Sequence, residues 1–336
     1  MLRLWPYGGV MLRFEVTAAD LLRSRFALSP LFEVTCLLRL LSGLSQHRLP
    51  WAARLQPGFA RLRRNTDLDG VRALLSHRYG PSFMVPPPQS LAQSIEDDLA
   101  MVRTTPMKIV RAEIAEALRR RPVSDPRILR TLRGPDVLAR IADVLEQVWH
   151  ELIAPDWPQL RAICERDVIY RSTELSRRGW AAALAGLHPQ VRWHDGGIQI
   201  GQLSSPEPVR LGGSGMLFIP SVYIFPRVAA HAEDPWPKAI VYPARGIAAL
   251  WEHTKTVPGA LSELIGRSRA RLLLALAEPA STTQLSRTTD LAAGSVGDHL
   301  RLLERAGLLT SARSGRSVLY RRTPLGDVIA GIGDLE

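Results

Sequence analysis

In the last quarter of the chain, apolar positions recur first at helical and then at strand-like spacing. From Ala293 to Arg305, Val296, Leu300 and Leu303 fall in one sector of a helix turning about 100° per residue. Ser281, followed three residues later by Gln284, has the spacing of a capping box, in which each side chain satisfies a backbone N–H at a helix start. That spacing predicts a short first helix, broken around residues 288–290. Gly307 ends the second helix. Residues 308–313 and 316–322 then read as strands around Ser314-Gly315, where glycine supplies the positive φ of a tight hairpin. Helix, turn, helix and basic-tipped hairpin is the layout of a winged helix-turn-helix, whose second helix enters the DNA major groove.

Upstream the pattern is mostly helical. Leu12, Phe14 and Val16 alternate as a strand would, just after Met11, a second candidate start that would make the first ten residues dispensable. Helical spacing follows over 20–44, interrupted near Pro30 and stopped by Gly43, then over 69–76, 90–101, 107–120, 135–152 and 157–177. From Val191 it changes. Residues 191–193 and 198–200 bracket His194-Asp195-Gly196-Gly197 as a hairpin, and short strands are predicted near 208–211, 216–219, 222–225 and 239–242. Val257-Pro258-Gly259 reads as a hinge before a helix over 261–277 that has apolar surface for a core and for a dimer contact. The expected fold class is α+β, mostly α: a helical N-terminal domain with a small antiparallel sheet, then a C-terminal winged helix. The expected boundaries are 11–185 for the mostly helical domain, 186–256 for the sheet region attached to it, and 258–336 for the winged helix-turn-helix.

The side of the second helix opposite its apolar stripe carries Ser295, Asp298, Arg301 and Arg305, with His299 at the rim. Guanidinium, carboxylate and hydroxyl groups read base edges or hold phosphates. Arg313 and Arg316 flank the hairpin tip, where a wing meets a phosphate or a narrow minor groove. A solvated face on an ordinary small domain explains any one of these residues equally well. The constellation favours DNA, because residues 267–322 hold ten arginines against four acidic residues, the surplus that phosphate neutralisation requires.

The run SVGDHLRLLERAGLL followed by RSGRSVLYRR resembles the DNA-binding module of the ArsR-type bacterial transcriptional regulators. Upstream, SPLFEVTCLLRLL, DWPQLRAICERDVIYRSTELSRRG and GRSRARLLLALAEPASTT resemble an actinobacterial group of such regulators that carry a long N-terminal domain of unassigned function. The resemblance implies a repressor that occludes promoters. Two departures stand out. Gly297 occupies a position where these regulators commonly carry serine, at a cost in helix propensity of about 1 kcal/mol. The cysteine pair of the arsenic and cadmium sensors is absent.

Composition narrows the chemistry. The formal charge of +11 suits a polyanionic partner, but the basic residues are nearly all arginine in a chain rich in Ala, Gly and Pro, the mark of a GC-rich genome, so charge alone decides nothing. Cys36 and Cys164 are the only cysteines, each among apolar neighbours, which fits core positions and a reducing cytoplasm. No apolar stretch reaches the ~18 residues of a membrane span.

Gly212-Gly213-Ser214-Gly215 fails as a nucleophile elbow, because Met216 stands where glycine is needed. Phosphate-loop, dinucleotide and zinc-protease motifs are absent. His188 and His194 are more simply surface or hydrogen-bonded groups than ligands, and Glu96-Asp97-Asp98 is most simply a solvated helix face. All eight tryptophans precede the winged helix, and Trp149, Trp157, Trp180 and Trp193 are the ones a small-molecule pocket would use. The expectation is therefore a non-enzymatic, cytoplasmic homodimer on double-stranded DNA carrying an inverted repeat, with no cofactor, metal or membrane and with an unidentified small-molecule effector. An enzyme or a protein-docking domain tethered to DNA by a winged helix is the alternative.

Overall fold

The computed structural model describes residues 1–5, 12–45, 50–201, 208–247, 259–276, 279–289, 291–314 and 317–331. Two compact units emerge, one comprising Met1–Trp157 with Arg171–Ala244, the other Pro158–Tyr170 with Arg245–Glu336. The chain is α+β and mostly α.

The first unit holds β1 (Leu2–Trp5), β2 (Leu12–Glu15), α1 (Ala18–Arg23), β3 (Arg25–Phe26) and α2 (Pro30–Leu41). After these come α3 (Gln56–Asn65), α4 (Leu68–Leu74), β4 (Tyr79–Gly80), α5 (Ile95–Arg103), α6 (Met107–Arg120), α7 (Pro126–Arg133) and α8 (Val137–Val148). Helix α9 (Trp157–Leu184), interrupted at Gly179, gives Pro158–Tyr170 to the second unit and its remainder to the first, where β5 (Val191–His194), β6 (Gly197–Ile200), β7 (Val209–Arg210), β8 (Leu217–Ser221), β9 (Val228–His231) and β10 (Ala239–Pro243) follow. One sheet runs β3-β8-β10-β9-β1-β4 and the other β5-β6-β2-β7.

The sheets are mixed, not antiparallel as the sequence pattern suggests. Strand β8 runs parallel to β10 and to β3, and β2 parallel to β7. The cause lies in their composition and length. Every residue of β8 is buried, so no polar alternation marks a face, while β3 and β7 have only two residues each. The expected hairpin over 191–200 does form, with Val191 opposite Ile200 and positive φ at Asp195 and Gly196.

Three further expectations change. Residues 2–5 take part in the fold: they form β1 between β9 and β4, with the Leu2 side chain fully buried and Arg3 Nη2 donating to Glu233 at 2.7 Å. Residues 222–225 turn instead of extending, because the Glu33 carboxylate gathers the backbone N–H groups of Val222 (2.7 Å) and Tyr223 (3.0 Å). Asp98 is no solvated residue. It shares the buried side of α5 with Ile95, Leu99 and Val102, and its Oδ2 accepts the Leu31 N–H at the start of α2.

Inside the first unit the aromatic residues pack on one another. Trp149 meets Trp157 edge to face at 5.2 Å, and Trp180 lies 5.4 Å from Phe218 and stacks on Phe26 at 6.4 Å. Trp193 is half-buried on β5. His188 bonds the Pro226 carbonyl at 2.8 Å, His194 pairs with Asp195 at 3.0 Å, and no grouping of three or more His, Cys, Asp or Glu suited to a metal occurs among the described residues. Both cysteines are buried, and neither forms a disulfide.

In the second unit, the helix expected over 261–277 is two: α10 (Gly259–Ile265) and α11 (Arg267–Ala275), separated by Gly266 at φ +82°. Strand β11 (Ala280–Ser281) leads into α12 (Thr282–Thr289) and α13 (Ala293–Arg305), and then β12 (Leu309–Ser314) and β13 (Ser317–Arg322) build an antiparallel sheet in the order β11-β13-β12. A last helix, α14 (Pro324–Gly331), adds to the elements expected from the pattern. Its start is written locally: Thr323 Oγ1 accepts the Gly326 N–H at 3.1 Å and donates to the Gly307 carbonyl at 2.6 Å, and Pro324 fits the first helical position. Gly326 permits this seat, since a Cβ there would stand 2.1 Å from the Leu308 carbonyl oxygen. A helix that the sequence pattern predicts over 246–254 falls, from residue 248 onward, outside the described residues, as does the Val257-Pro258 part of the hinge.

Candidate nucleic-acid interface

Helix α12 begins as its sequence dictates. The Ser281 N–H donates to Gln284 Oε1 at 2.8 Å while Ser281 Oγ accepts the Gln284 N–H at 3.3 Å, the reciprocal pair of a capping box. At its far end Thr289 Oγ1 returns to the Leu285 carbonyl at 2.7 Å, and Ser286 Oγ reaches the Leu291 carbonyl at 2.6 Å, bridging the turn into α13. Val296, Leu300 and Leu303 then point into a core with Leu272, Leu273, Leu276 and Leu285. Burying each such leucine contributes about 1.5–3 kcal/mol, which fixes the rotation of α13 about its own axis.

That rotation leaves Ser295, Asp298, Arg301 and Arg305 exposed and His299 half-buried at the edge of the same face. Asp298 and Arg301, three residues apart, pair with each other. Both side chains are about two-thirds exposed, at 70% and 68%, so the pair is weak and the guanidinium is available to exchange its partner for a base or phosphate. Glu304 turns the other way and accepts the Ser311 hydroxyl at 2.6 Å, tying helix to wing.

Two features of α13 go beyond what its side-chain pattern indicates. Its N-cap is Ala292, with no side-chain hydrogen bond, so the first N–H groups of the helix carry no cap and suit a phosphate oxygen. The signal available in the sequence is the lack of Ser, Thr, Asp or Asn just before Ala293. Gly294 and Gly297 have nothing within 4 Å of where a Cβ would sit, which leaves this end of the helix smooth and open to close approach.

Strands β12 and β13 pair from Leu309↔Arg322 to Ser314↔Ser317, and Arg313, opposite Val318 near the tip, is exposed. Arg316, expected with Arg313 at the wing tip, lies outside the described residues. Arg322 is directed inward, forming an ion pair with Asp327 at 2.8 Å and donating from Nη1 to the Leu273 carbonyl at 3.5 Å, and so links α14 and α11 to the sheet.

Residues 265–312 match the model of a helix-turn-helix domain, the class that this helix pair and wing define, and a DNA-binding regulator is the function such a domain supports. The match ends on β12. Over residues 71–248, more than half of its length, the chain matches a second model, and it belongs to that family, the family of unknown function DUF5937. No curated protein and no solved structure matches the chain. No helix among the described residues is long and apolar enough to cross a membrane.

Proposed function

We propose that this protein is a sequence-specific transcriptional regulator of the ArsR type, of the group with a long N-terminal domain. In this reading it is a non-enzymatic, cytoplasmic repressor that binds an inverted repeat as a homodimer. The observation that carries the reading is the division of α13. Its apolar stripe is committed to the core, and Ser295, Asp298, Arg301 and Arg305 share the outward side of a helix followed directly by a hairpin with Arg313 near its tip. Three exposed apolar residues of the same unit, Leu264 on α10 and Leu325 and Val328 on α14, support self-association through its first and last helices.

A single recognition helix buries too little surface for a specific site, whereas two about one turn of DNA apart double the contacts. In the first unit an effector would favour a state in which the two helices no longer match the operator spacing, which requires unequal affinity for the two states. Metal plays no part in the reading: residues 261–336 contain no cysteine and only one histidine, His299, on the reading helix itself.

The test combines sedimentation with footprinting on sites selected from random duplexes. A dimer protecting two symmetric half-sites, unaffected by stoichiometric zinc, cadmium or arsenite, is expected. A monomer protecting one half-site contradicts the dimer, and metal-induced release contradicts the sensor class.

A further inference from the structure

Within the first unit, a cavity of about 380 Å³ opens between the end of α2, α3, α4 and the segment linking α6 to α7. Its polar lining includes Ser42, Arg63, Asp69, Arg72, Arg121 and Asp125. Leu44, Val123 and Ile128 supply an apolar wall. The volume suits a small organic molecule.

The charges do not cancel. Three guanidiniums face two carboxylates, and one of these, Asp125, already caps α7 by accepting the Arg127 N–H at 2.8 Å. Asp69 is shared: Arg63 donates to Oδ1 at 3.0 Å and to Oδ2 at 3.4 Å, and Arg72 donates to Oδ1 as well. One positive charge remains in excess.

The arginines are also held in place without being used up. Arg72 is fixed on three sides, by Asp69, by Ser42 Oγ at 2.9 Å and by the ring of Phe59, 5.7 Å below its guanidinium carbon. Arg121 is anchored through Nη1 to the Leu75 carbonyl at 2.9 Å. In both side chains the second terminal nitrogen, Nη2, makes no hydrogen bond among the described residues. Guanidinium arms already oriented beside an apolar wall lose little entropy on gripping a planar carboxylate.

We propose that this cavity is the binding site of a singly charged organic carboxylate with a compact apolar body, held through Arg72 and Arg121 and covered on one side by Leu44, Val123 and Ile128. The class follows from the lining: one surplus charge selects a monoanion, and the wall selects a molecule that is not merely ionic. Where it concerns gene control, the inference rests on the reading of the first unit as a sensor; as a statement about binding it does not.

The test is calorimetric titration of the full-length protein with benzoate, hexanoate, the uncharged isostere benzamide, and inorganic phosphate. At least one carboxylate should bind with a Kd below about 1 mM. Benzamide should bind at least about tenfold more weakly, and Arg72→Gln and Arg121→Gln should each weaken the carboxylate by about tenfold or more. Arg119→Gln, an exposed arginine paired with Glu116 on α6, should leave binding unchanged. Arg121→Gln decides the matter if Arg72→Gln disturbs folding. The proposal is overturned if neither carboxylate saturates below about 10 mM, if benzamide or phosphate binds as tightly, or if binding ignores Arg121→Gln. The same carboxylate added to protein on DNA separates the two claims. Binding that lowers operator affinity through Arg121 supports both, and binding without any change in operator affinity supports the site while contradicting the sensing role.

Discussion

In the first unit Glu33, Arg39, Asp98, Arg171 and His231 are almost wholly withdrawn from water, whereas on α13 of the second unit Asp298, Arg301 and Arg305 stand exposed above a core of leucine and valine. Three of these buried groups close gaps in the backbone. Glu33 gathers two N–H groups of a turn, Asp98 caps α2, and Arg171 donates to the carbonyls of Ala183, Ala185 and Gly186 where α9 ends. The outward charges of α13 close no such gap. Apolar packing sets where that helix lies, and its charges are left for a partner, as DNA recognition requires.

The sharpest break of this comparison is to empty the core under α13. Leu300→Ala should cost about 2–5 kcal/mol and abolish DNA binding through loss of the helix, measured by urea unfolding and by operator titration. Next comes the opposite region. Glu33→Ala leaves the Val222 and Tyr223 N–H groups buried without partners and should cost about 1–3 kcal/mol, without altering base preference in any protein that remains folded.

Titration gives a third and smaller effect, of two signs. Burial, with the nearby N-terminal amine and Lys238 adding to it, holds the His231 imidazole down at about 3. An unfolded histidine protonates near its ordinary value of 6.5, so the unfolded chain takes up a proton that the fold refuses. Stability from this group is present above that value and lost as pH falls toward 3, by at most about 1.4 kcal/mol per pH unit. Glu33 acts in reverse. Burial pushes its carboxyl up to about 7 against the pull of the backbone N–H groups, so its contribution is complete below about 4.5 and lost as pH rises through 7. Unfolding free energies at pH 5 and 6.5 should show that His231→Leu makes the slope of stability with pH less positive than in the parent protein, and an unchanged slope would exclude a part for the histidine.

The smallest expected change is in stability at the reading face. Arg301→Ala and Arg305→Ala should shift the unfolding free energy by less than about 0.5 kcal/mol while weakening DNA binding. A large loss of stability in either would mean that these arginines support the fold.

How far each unit can be read from sequence follows the same division. Helix α13 is delimited at Ala293 and Arg305 because its stripe, its turn and Gly307 are all local, and residues 281 and 284 announce α12 in the same way. The reading face follows from projecting the helix, but its open N-terminus does not, since a projection places side chains and is silent about a missing cap. The start of α14 is marked only by Thr323 and Pro324, a short signal directly after a strand. In the first unit, strands such as β3 and β4 have two residues and find partners that are distant in sequence, Leu217–Phe218 and Leu2–Arg3, so no local periodicity reveals them. Asp98 resembles part of an acidic surface run because its burial depends on α2, nearly seventy residues away. Nothing in the sequence around Arg63, Arg72 and Arg121 marks the cavity they line, which exists only once α3, α4 and the end of α6 converge.

On the proposed reading α13 contacts base edges while the wing holds the phosphate backbone. The most direct measurement is a competition assay across single-base variants of a selected operator, at two salt concentrations, with Asp298→Ala, Arg301→Ala and Arg313→Ala. The two helix variants should change which base is preferred, by roughly 1–3 kcal/mol at the contacted position. Arg313→Ala should weaken all sequences alike and lower the salt slope by about 0.9 for each phosphate that is no longer neutralised. Altered base preference in Arg313→Ala, with mere uniform weakening in Asp298→Ala and Arg301→Ala, would contradict that reading.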